Sequence, residues 1–296
     1  MSTDVVDVKS RPATPILAEE PAYVPPVTII EHRTGLRLLD WAGVYAYRDL
    51  LRFLVWREVK VRYAQSAVGI GWAVIQPLFS MLLFTLVFGH LAQVKSDGAP
   101  YALFSLAALV PWTYFANAVT DGVGALVSDA NTLRKVYFPR VLMPLSAVLA
   151  KLVDFGIAMG VLAALLAYYQ QPPTAGILAL PLLILLMMTA ALAISLWLTA
   201  MAVQYRDVKH ALPFLVQLGM YATPVVYPTS LVPEPYRLAF ALNPMVGVVE
   251  GFRSALLGTQ PMPWNLIGMG AASTAVVLLT GLAFFHSKER TFADVA

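Results

Sequence analysis

The sequence predicts an all-α integral membrane protein with six transmembrane helices, an N-terminal interfacial helix and outer re-entrant helices. Hydrophobic residues make up 59% of the chain, charged residues make up 12%, and the mean hydropathy is +0.70. Soluble domains carry about 25% charged residues, so this composition excludes a water-soluble core. Apolar segments follow one another from residue 68 to residue 285, and most Lys and Arg residues lie in alternate gaps between them.

Six apolar segments are predicted to cross the membrane, because a spanning helix needs about 20 predominantly apolar residues. The fifth segment is short and contains Pro213 and Pro224. A further apolar segment, 238–257, is interrupted by Asn243-Pro244, and we expect it to lie in a re-entrant region, about 229–262, that enters from the outer side. The six predicted spans are Val68–Leu91, Tyr101–Val127, Val141–Tyr168, Ile177–Val203, Ala211–Tyr227 and Trp264–Phe285.

The positive charges predict the orientation of the chain. With six crossings and a cytoplasmic N-terminus, 16 of the 20 Lys and Arg residues lie on the cytoplasmic side and three on the outer side. Cytoplasmic loops of membrane proteins carry such an excess of Lys and Arg. Counting 238–257 as a full crossing would place the C-terminus outside and remove this bias. Both termini are therefore predicted to be cytoplasmic.

Composition divides the chain into four parts. Residues 1–35 are polar and rich in proline, and we expect a disordered tail. Residues 36–66 mix aromatic and basic side chains without a long apolar run, which favours an amphipathic helix on the cytoplasmic surface of the membrane over a soluble helical hairpin. Residues 67–286 form the predicted transmembrane domain, and residues 287–296 a cytoplasmic tail.

Two predicted cytoplasmic loops combine basic and aromatic residues. Exposed aromatic side chains beside arginine are typical of protein docking surfaces. A tight turn that contacts lipid headgroups is an equally good interpretation of the first loop, 129–140. The candidate docking residues are Arg134, Lys135, Tyr137, Phe138 and Arg140 in that loop, and Tyr205, Arg206 and Asp207 in the second.

Ionisable residues within the apolar segments are candidates for function, because each costs roughly 2.5–3.5 kcal/mol to insert at the centre of a spanning helix. Lys151 and Asp154 are three residues apart on one helix and can pair, as can Glu250 and Arg253. Either pair is a structural salt bridge or part of a translocation path. Asp121 has no partner nearby in the sequence, so it is the stronger functional candidate, although it could reach a neighbouring helix or the headgroups.

Aromatic residues within the spans suggest two roles. Rings with a polar tip serve as interfacial anchors. Rings in the middle of a span fit that role less well, and they could stack on the apolar faces of sugars if they faced a passage. The candidates for such a path are Trp72, Trp112, Tyr114, Phe115, Tyr221 and Tyr227, together with Asp121.

Several function classes lack support in the sequence. It contains no G-x-x-x-x-G-K-[ST] phosphate loop, so this chain is not expected to hydrolyse ATP through that fold. It has no cysteine, and its four histidines lack ligand spacing, so we expect no metal site. No basic patch interleaved with aromatics lies away from the membrane, which argues against nucleic acid as a partner. Catalytic constellations are absent from the loops, so the chain is not expected to be an enzyme.

An ordered set of motifs extends over roughly residues 40–296. It comprises the run 134–146 (RKVYFPRVLMPLS), Gly71-Trp72 with Gln76-Pro77-Leu78, Tyr205-Arg206-Asp207-Val208, 221–228 (YATPVVYP), Asn243-Pro244 with Glu250-Gly-Phe-Arg253, and 289–294 (ERTFAD). This set resembles the membrane subunits of polysaccharide ABC exporters, type-2 ABC permeases that export O-antigen, capsule and teichoic acid polymers.

The resemblance implies a homodimer in the bacterial inner membrane that binds two cytoplasmic ATPase subunits, which would hold ATP and Mg²⁺; no cofactor is implied for this chain. The substrate would be an undecaprenyl-linked polysaccharide, with O-antigen ranked first and capsule or teichoic acid as rivals. Loop 129–140 and the interfacial helix would contact the ATPase, and mid-span aromatics would line the path. The remaining alternatives are small-drug efflux and an enzyme acting on lipid-linked sugars. The implied outer gate contains Asn243, Pro244, Glu250 and Arg253.

Overall fold

A computed structural model describes residues 41–64, 69–128, 138–205 and 207–289. In these residues the regular structure is helical throughout, as the predicted fold class requires. The predicted N-terminal tail lies outside the described residues. The predicted interfacial helix corresponds to two helices, α1 (Trp41–Ala46) and α2 (Arg48–Tyr63). Helix α2 packs against the third long helix through Leu54, while Phe53 and Trp56 stay exposed.

Five helical segments in the described residues are long and apolar enough to cross a membrane. This chain is therefore a multi-pass membrane protein. The first begins as α3 (Gly71–Phe84) and continues without a break as a π-helix, Thr85–Leu91. A short 3₁₀ turn, Ala175–Ala179, leads into the fourth. The other helices of this set are α4 (Tyr101–Ser128), α5 (Leu142–Tyr168), α6 (Leu180–Gln204) and α10 (Trp264–Glu289).

Helix α4 lies at the centre of the bundle. In the most apolar stretch of this helix, 89% is buried within the protein. The corresponding stretch of the span that begins with α3 is only 11% buried. Helix α4 contacts α3, α5 and α6, as well as the shorter helices described below. The main hydrophobic cluster forms around Leu103, Phe104 and Leu106 of this helix. A second cluster joins α2 to the ends of α5 and α10 through Leu54, Leu142 and Phe285.

The predicted fifth span is shorter than expected. Helix α7 (Asp207–Tyr221) has 15 residues and ends before Pro224. At 1.5 Å per residue it is about 22 Å long, less than the roughly 30 Å of a bilayer hydrocarbon core. Residues 222–228 follow as turns and bends. A sixth full crossing is therefore not formed by a continuous helix here, and the count of six spans stays a prediction.

The predicted re-entrant region contains two short helices. After a 3₁₀ turn at Thr229–Leu231, α8 (Glu234–Ala241) and α9 (Pro244–Leu257) are separated at Leu242 and Asn243, where the sequence predicts a break. All residues of α9 after Pro244 are buried, and the helix packs against α4, α6 and α10. Gly247 permits this close packing, because a Cβ there would lie 2.7 Å from the Leu266 carbonyl oxygen.

Candidate functional site

A cavity of about 340 Å³ lies beside the end of α2 and between α3, α4 and α5. Its volume is at the lower end of the range for ligand pockets, about 300–1,000 Å³. The ionisable residues Arg62, Lys151 and Asp154 reach its wall. So do uncharged polar and aromatic side chains of the three spans: Trp72, Gln76, Thr113, Tyr114, Asn117 and Phe155.

Four charged side chains and a tyrosine form a network beside this cavity, and it joins α2 to α4 and α5. Asp121 Oδ2 forms an ion pair with Lys151, 2.6 Å from its Nζ atom, and accepts a hydrogen bond from Arg62 Nη2 at 2.8 Å. Asp154 accepts hydrogen bonds from the Arg62 guanidinium and the Tyr63 hydroxyl. The predicted pair of Lys151 with Asp154 is therefore replaced by contacts between helices, and Asp121 finds partners on two other elements.

The network is balanced in charge, with two cations and two carboxylates. Lys151 is only 7% exposed, and a buried charge of this kind is strongly destabilising unless a partner compensates it. Burial, followed by the hydrogen bond to Asp154, raises the pKa of Tyr63 to about 12. The Tyr63 hydroxyl is therefore a neutral donor over the physiological pH range, and it supports the Asp154 carboxylate without adding charge.

The predicted pair of Glu250 and Arg253 is confirmed at the opposite end of the bundle, with 3.1 Å between Oε1 and Nη1. Arg253 is 2% exposed and lies over the Phe104 ring, 3.6 Å from its centroid. It donates hydrogen bonds to the carbonyl oxygens of Val225, Tyr227 and Phe104. The guanidinium thus supplies the donors that the non-helical segment 222–228 needs.

Glu250 and Asn243 hold the start of the re-entrant region. Glu250 Oε1 accepts hydrogen bonds from the backbone N–H of Thr229 and from its hydroxyl. Asn243 caps α9 by accepting from the Met245 N–H, with Pro244 in the first turn, and its amide donates to Thr223 Oγ1 at 2.9 Å. Three of the four predicted gate residues therefore bind segment 222–229 to α9.

The structure separates the predicted path aromatics into three groups. Trp112 and Phe115 are buried within the bundle and do not line the cavity. Tyr114 lines the cavity although it is buried, and its hydroxyl donates to the Val148 carbonyl oxygen at 3.0 Å. Trp72 and Tyr221 are 57% and 51% exposed. Tyr227 is half-buried, and its hydroxyl donates to the Tyr221 carbonyl oxygen.

Only part of the predicted docking surface lies in the described residues; Arg134, Lys135, Tyr137 and Arg206 lie outside them. Tyr205 and Asp207 are exposed. Phe138 differs from the expected exposed aromatic, because it is 6% exposed and packs in the second hydrophobic cluster. Arg140 donates to the Glu289 carbonyl oxygen and thereby joins the start of α5 to the end of α10.

Residue-based reasoning missed several side chains of this site. Arg62 and Tyr63 belong to the segment predicted to lie on the membrane surface, where no contact with the spans was expected, whereas both bind carboxylates on the spans. Thr113 and Asn117 carried a usable signal, because they lie four residues apart in an apolar helix and so share one face. In the described part of the chain, no group of three or more His, Asp and Glu residues could hold a metal ion.

Comparison with known proteins places the chain in a family. A family model described as ABC-2 type transporter matches residues 49–257, which includes the end of α2, the cavity and both charged clusters. The chain belongs to the ABC-2 type transporter family. This membership confirms the resemblance identified from the ordered motifs, and it agrees with the all-helical membrane fold.

Family relatives match almost over their full length. An O-antigen export system permease protein RfbA of Myxococcus xanthus is 33% identical over 254 residues, which cover 85% of this chain and 96% of the relative. A protein of the same name from Klebsiella pneumoniae is 24% identical over 83% of this chain and 95% of its own. The polysialic acid transport protein KpsM of Escherichia coli is 23% identical, with 84% and 96% covered.

Proposed function

We propose that this chain is the transmembrane, channel-forming subunit of an ATP-driven ABC exporter that moves undecaprenyl-linked O-antigen across the bacterial inner membrane. The observation that carries the proposal is the 33% identity to an O-antigen export permease over 96% of that relative's length. Two further O-antigen export permeases align over 83% of this chain.

A separate ATPase subunit is part of this proposal. The sequence lacks the G-x-x-x-x-G-K-[ST] loop that binds nucleotide phosphates, so ATP and Mg²⁺ would bind to the partner. We place its docking surface at Arg134, Lys135 and Tyr137 and at the exposed Tyr205. In the proposed assembly, two copies of this chain bind two ATPase subunits, and both termini of each copy are cytoplasmic.

The path and the outer gate are assigned from exposure and contacts. Of the candidate aromatics, Trp72 and Tyr221 are exposed on α3 and α7, where only two residues and one residue, respectively, are buried, and we place the path along them. The gate is placed at the segment that Asn243, Glu250 and Arg253 bind, because irregular backbone at membrane depth requires protein partners or water.

Export of a capsular polymer is the second candidate. The observation that favours it is the similarity to polysialic acid transport proteins of Escherichia coli, at 23% and 22% identity over 84% of this chain. The two candidates differ in what reaches the cell surface, lipopolysaccharide O-antigen or a capsular polymer. Both share the topology and the requirement for an ATPase.

The test is deletion of the gene for this chain in its host, followed by complementation with a tagged copy. We expect O-antigen to disappear from the cell surface, to accumulate inside on its lipid carrier, and to return on complementation. Loss of a capsular polymer instead would support the second candidate. Unchanged surface polysaccharide would contradict both candidates.

Purification of the tagged chain tests the ATPase partner. We expect a soluble ATPase to co-purify in equal amount, and the double variant Tyr137→Ala with Arg134→Glu to lose it while still inserting into the membrane. Tyr168→Ala is the control, because this tyrosine is exposed at the opposite end of α5. Equal recovery of the ATPase with all three proteins would refute the docking assignment.

A further inference from the structure

The cavity beside α2 contains polar side chains that the protein itself does not use. Within the described residues, the side chains of Gln76, Thr113 and Asn117 make no hydrogen bond, although each lines the cavity. Thr120, one turn further along α4, instead donates to the Ala116 carbonyl oxygen at 2.8 Å. Gln76 is exposed, but Thr113 and Asn117 are partly buried on a spanning helix, where polar groups without partners are costly in an apolar environment. Their presence around one cavity therefore indicates a polar ligand.

The placement of these groups forms two facing walls. Trp72 and Gln76 lie four residues apart on α3, and Thr113 and Asn117 lie four residues apart on α4, so each pair occupies one helix face. Each amide offers two donors and a carbonyl acceptor, and a hydroxyl offers both roles. Neighbouring hydroxyl groups on a sugar ring require such mixed donors and acceptors. The exposed Trp72 ring adds an apolar surface on which a sugar ring could lie.

Charge argues for a neutral ligand over a phosphate. Both carboxylates of the network are bound to Arg62 or Lys151, so the positive charges at the cavity are already compensated. An anion would have to displace Asp121 or Asp154 from a partly buried pair, which would leave that carboxylate without its partner. Uncharged hydroxyl groups need no such displacement.

We propose that this cavity is a binding site for a neutral sugar unit of the exported glycan, formed within one subunit by Trp72, Gln76, Thr113 and Asn117. This inference rests on the proposed function and adds a site for one or two sugar units to it. The ion-pair network forms the charge-neutral end of the site and fixes the positions of α4 and α5.

Photo-cross-linking in whole cells tests the site with the polysaccharide that the host itself makes. Trp72 is replaced by p-benzoylphenylalanine, which preserves a large aromatic side chain, and Leu185 on α6 serves as an exposed apolar control. We expect an adduct that reacts with antibody to the polysaccharide at position 72 and none at position 185. A phospholipid adduct alone at position 72, or equal polysaccharide adducts at both positions, would overturn the site.

Variants of similar shape separate binding from mere proximity. Thr113→Val with Asn117→Leu removes the polar groups and preserves volume, while Thr189→Val removes a hydroxyl that bonds to its own helix at Leu185. Loss of hydrogen bonds from two side chains is expected to lower the adduct yield and the export rate by about tenfold. Thr189→Val should alter neither.

The thermal midpoint of the purified double variant provides an independent measurement. Polar groups without a ligand should be replaceable at a gain in stability, so a raised midpoint with unchanged export and unchanged adduct would overturn the site. A raised or equal midpoint with reduced export supports it. Complementation by the unmodified chain separates the two proposals: without surface polysaccharide both fail, whereas surface polysaccharide with no adduct at position 72 refutes the sugar site alone.

Discussion

The two ends of the bundle use charged residues in different ways. At one end, Arg253 and Glu250 are neighbours on a single helix, are almost fully buried, and hydrogen-bond to irregular backbone. At the other end, Arg62, Asp121 and Lys151 come from three different helices and lie beside a cavity. The first cluster fixes one local conformation, whereas the second fixes the relative positions of separate helices. The comparison indicates that the second cluster is the one that movement of α2 would disturb.

The largest expected effect is an all-or-none difference in accessibility between the two ends. The chain has no cysteine, so Ser230→Cys, Gln260→Cys and Ser287→Cys each introduce a single thiol at an exposed position. In intact spheroplasts, the first two are expected to react with a membrane-impermeant maleimide, and the third only after lysis. Protection of Gln260→Cys would mean that 238–257 crosses the membrane, and the re-entrant prediction would then be wrong.

Arg253→Met is expected to be the most destabilising substitution. It leaves Glu250 without its cation and removes the donors to three carbonyl oxygens, and breaking a buried pair costs about 3–5 kcal/mol. Denaturant titration of the protein in detergent micelles measures this loss. The control is Arg237→Met, which breaks an ion pair of 3.8 Å with the exposed Glu234 and one hydrogen bond to the Val232 carbonyl oxygen, and which should cost about 1 kcal/mol. Similar losses for both variants would contradict the assigned role of Arg253.

Arg62→Met is expected to lower the free energy of unfolding by about 2 kcal/mol, because two hydrogen bonds to carboxylates disappear while Lys151 still compensates Asp121. The matched control on the same helix is Arg52→Met, which breaks an exposed pair with Asp49. If the network positions α2, Arg62→Met should also uncouple ATP hydrolysis from export. Normal coupling with reduced stability would limit the network to a structural role.

Tyr63→Phe is expected to have the smallest effect, about 1 kcal/mol, because one hydrogen bond to Asp154 is lost while Arg62 remains. The raised pKa of Tyr63 sets the pH dependence of this contribution. The neutral hydroxyl stabilises the fold fully below pH 10, the ordinary pKa, and this contribution declines as the pH rises towards 12. The difference between wild type and variant should therefore be constant from pH 6 to pH 9. A difference that varies within this range would exclude the neutral hydroxyl as its source.

Local features of the fold could be predicted from the sequence. Helix periodicity and i,i+3 spacing operate within one element, so the Glu250–Arg253 pair and the helix break at Asn243 follow from neighbouring residues alone. The apolar lengths of five spans are also encoded locally. The fifth predicted span was overestimated because apolar residues continue beyond Tyr221, where the helix ends.

Contacts between helices could not be predicted in the same way. Spacing alone pairs Lys151 with Asp154. In the structure, Lys151 instead pairs with Asp121 of α4, and Asp154 pairs with Arg62 of α2. The position of a ring along a span likewise does not reveal which face it occupies. Trp112 was expected in a passage, yet it is buried because α4 is enclosed by its neighbours on nearly every side.

The π-helix at Thr85–Leu91 has a consequence for the alignment of related chains. Its wider turns are closed by bonds such as that from the Ala92 N–H to the Val87 carbonyl oxygen, so this stretch contains more residues than an α-helix of equal height. A relative with one residue fewer here could keep both ends of the span in place. A one-residue gap between residues 85 and 91 should therefore be read as a change of helix winding, not as a shortened membrane crossing.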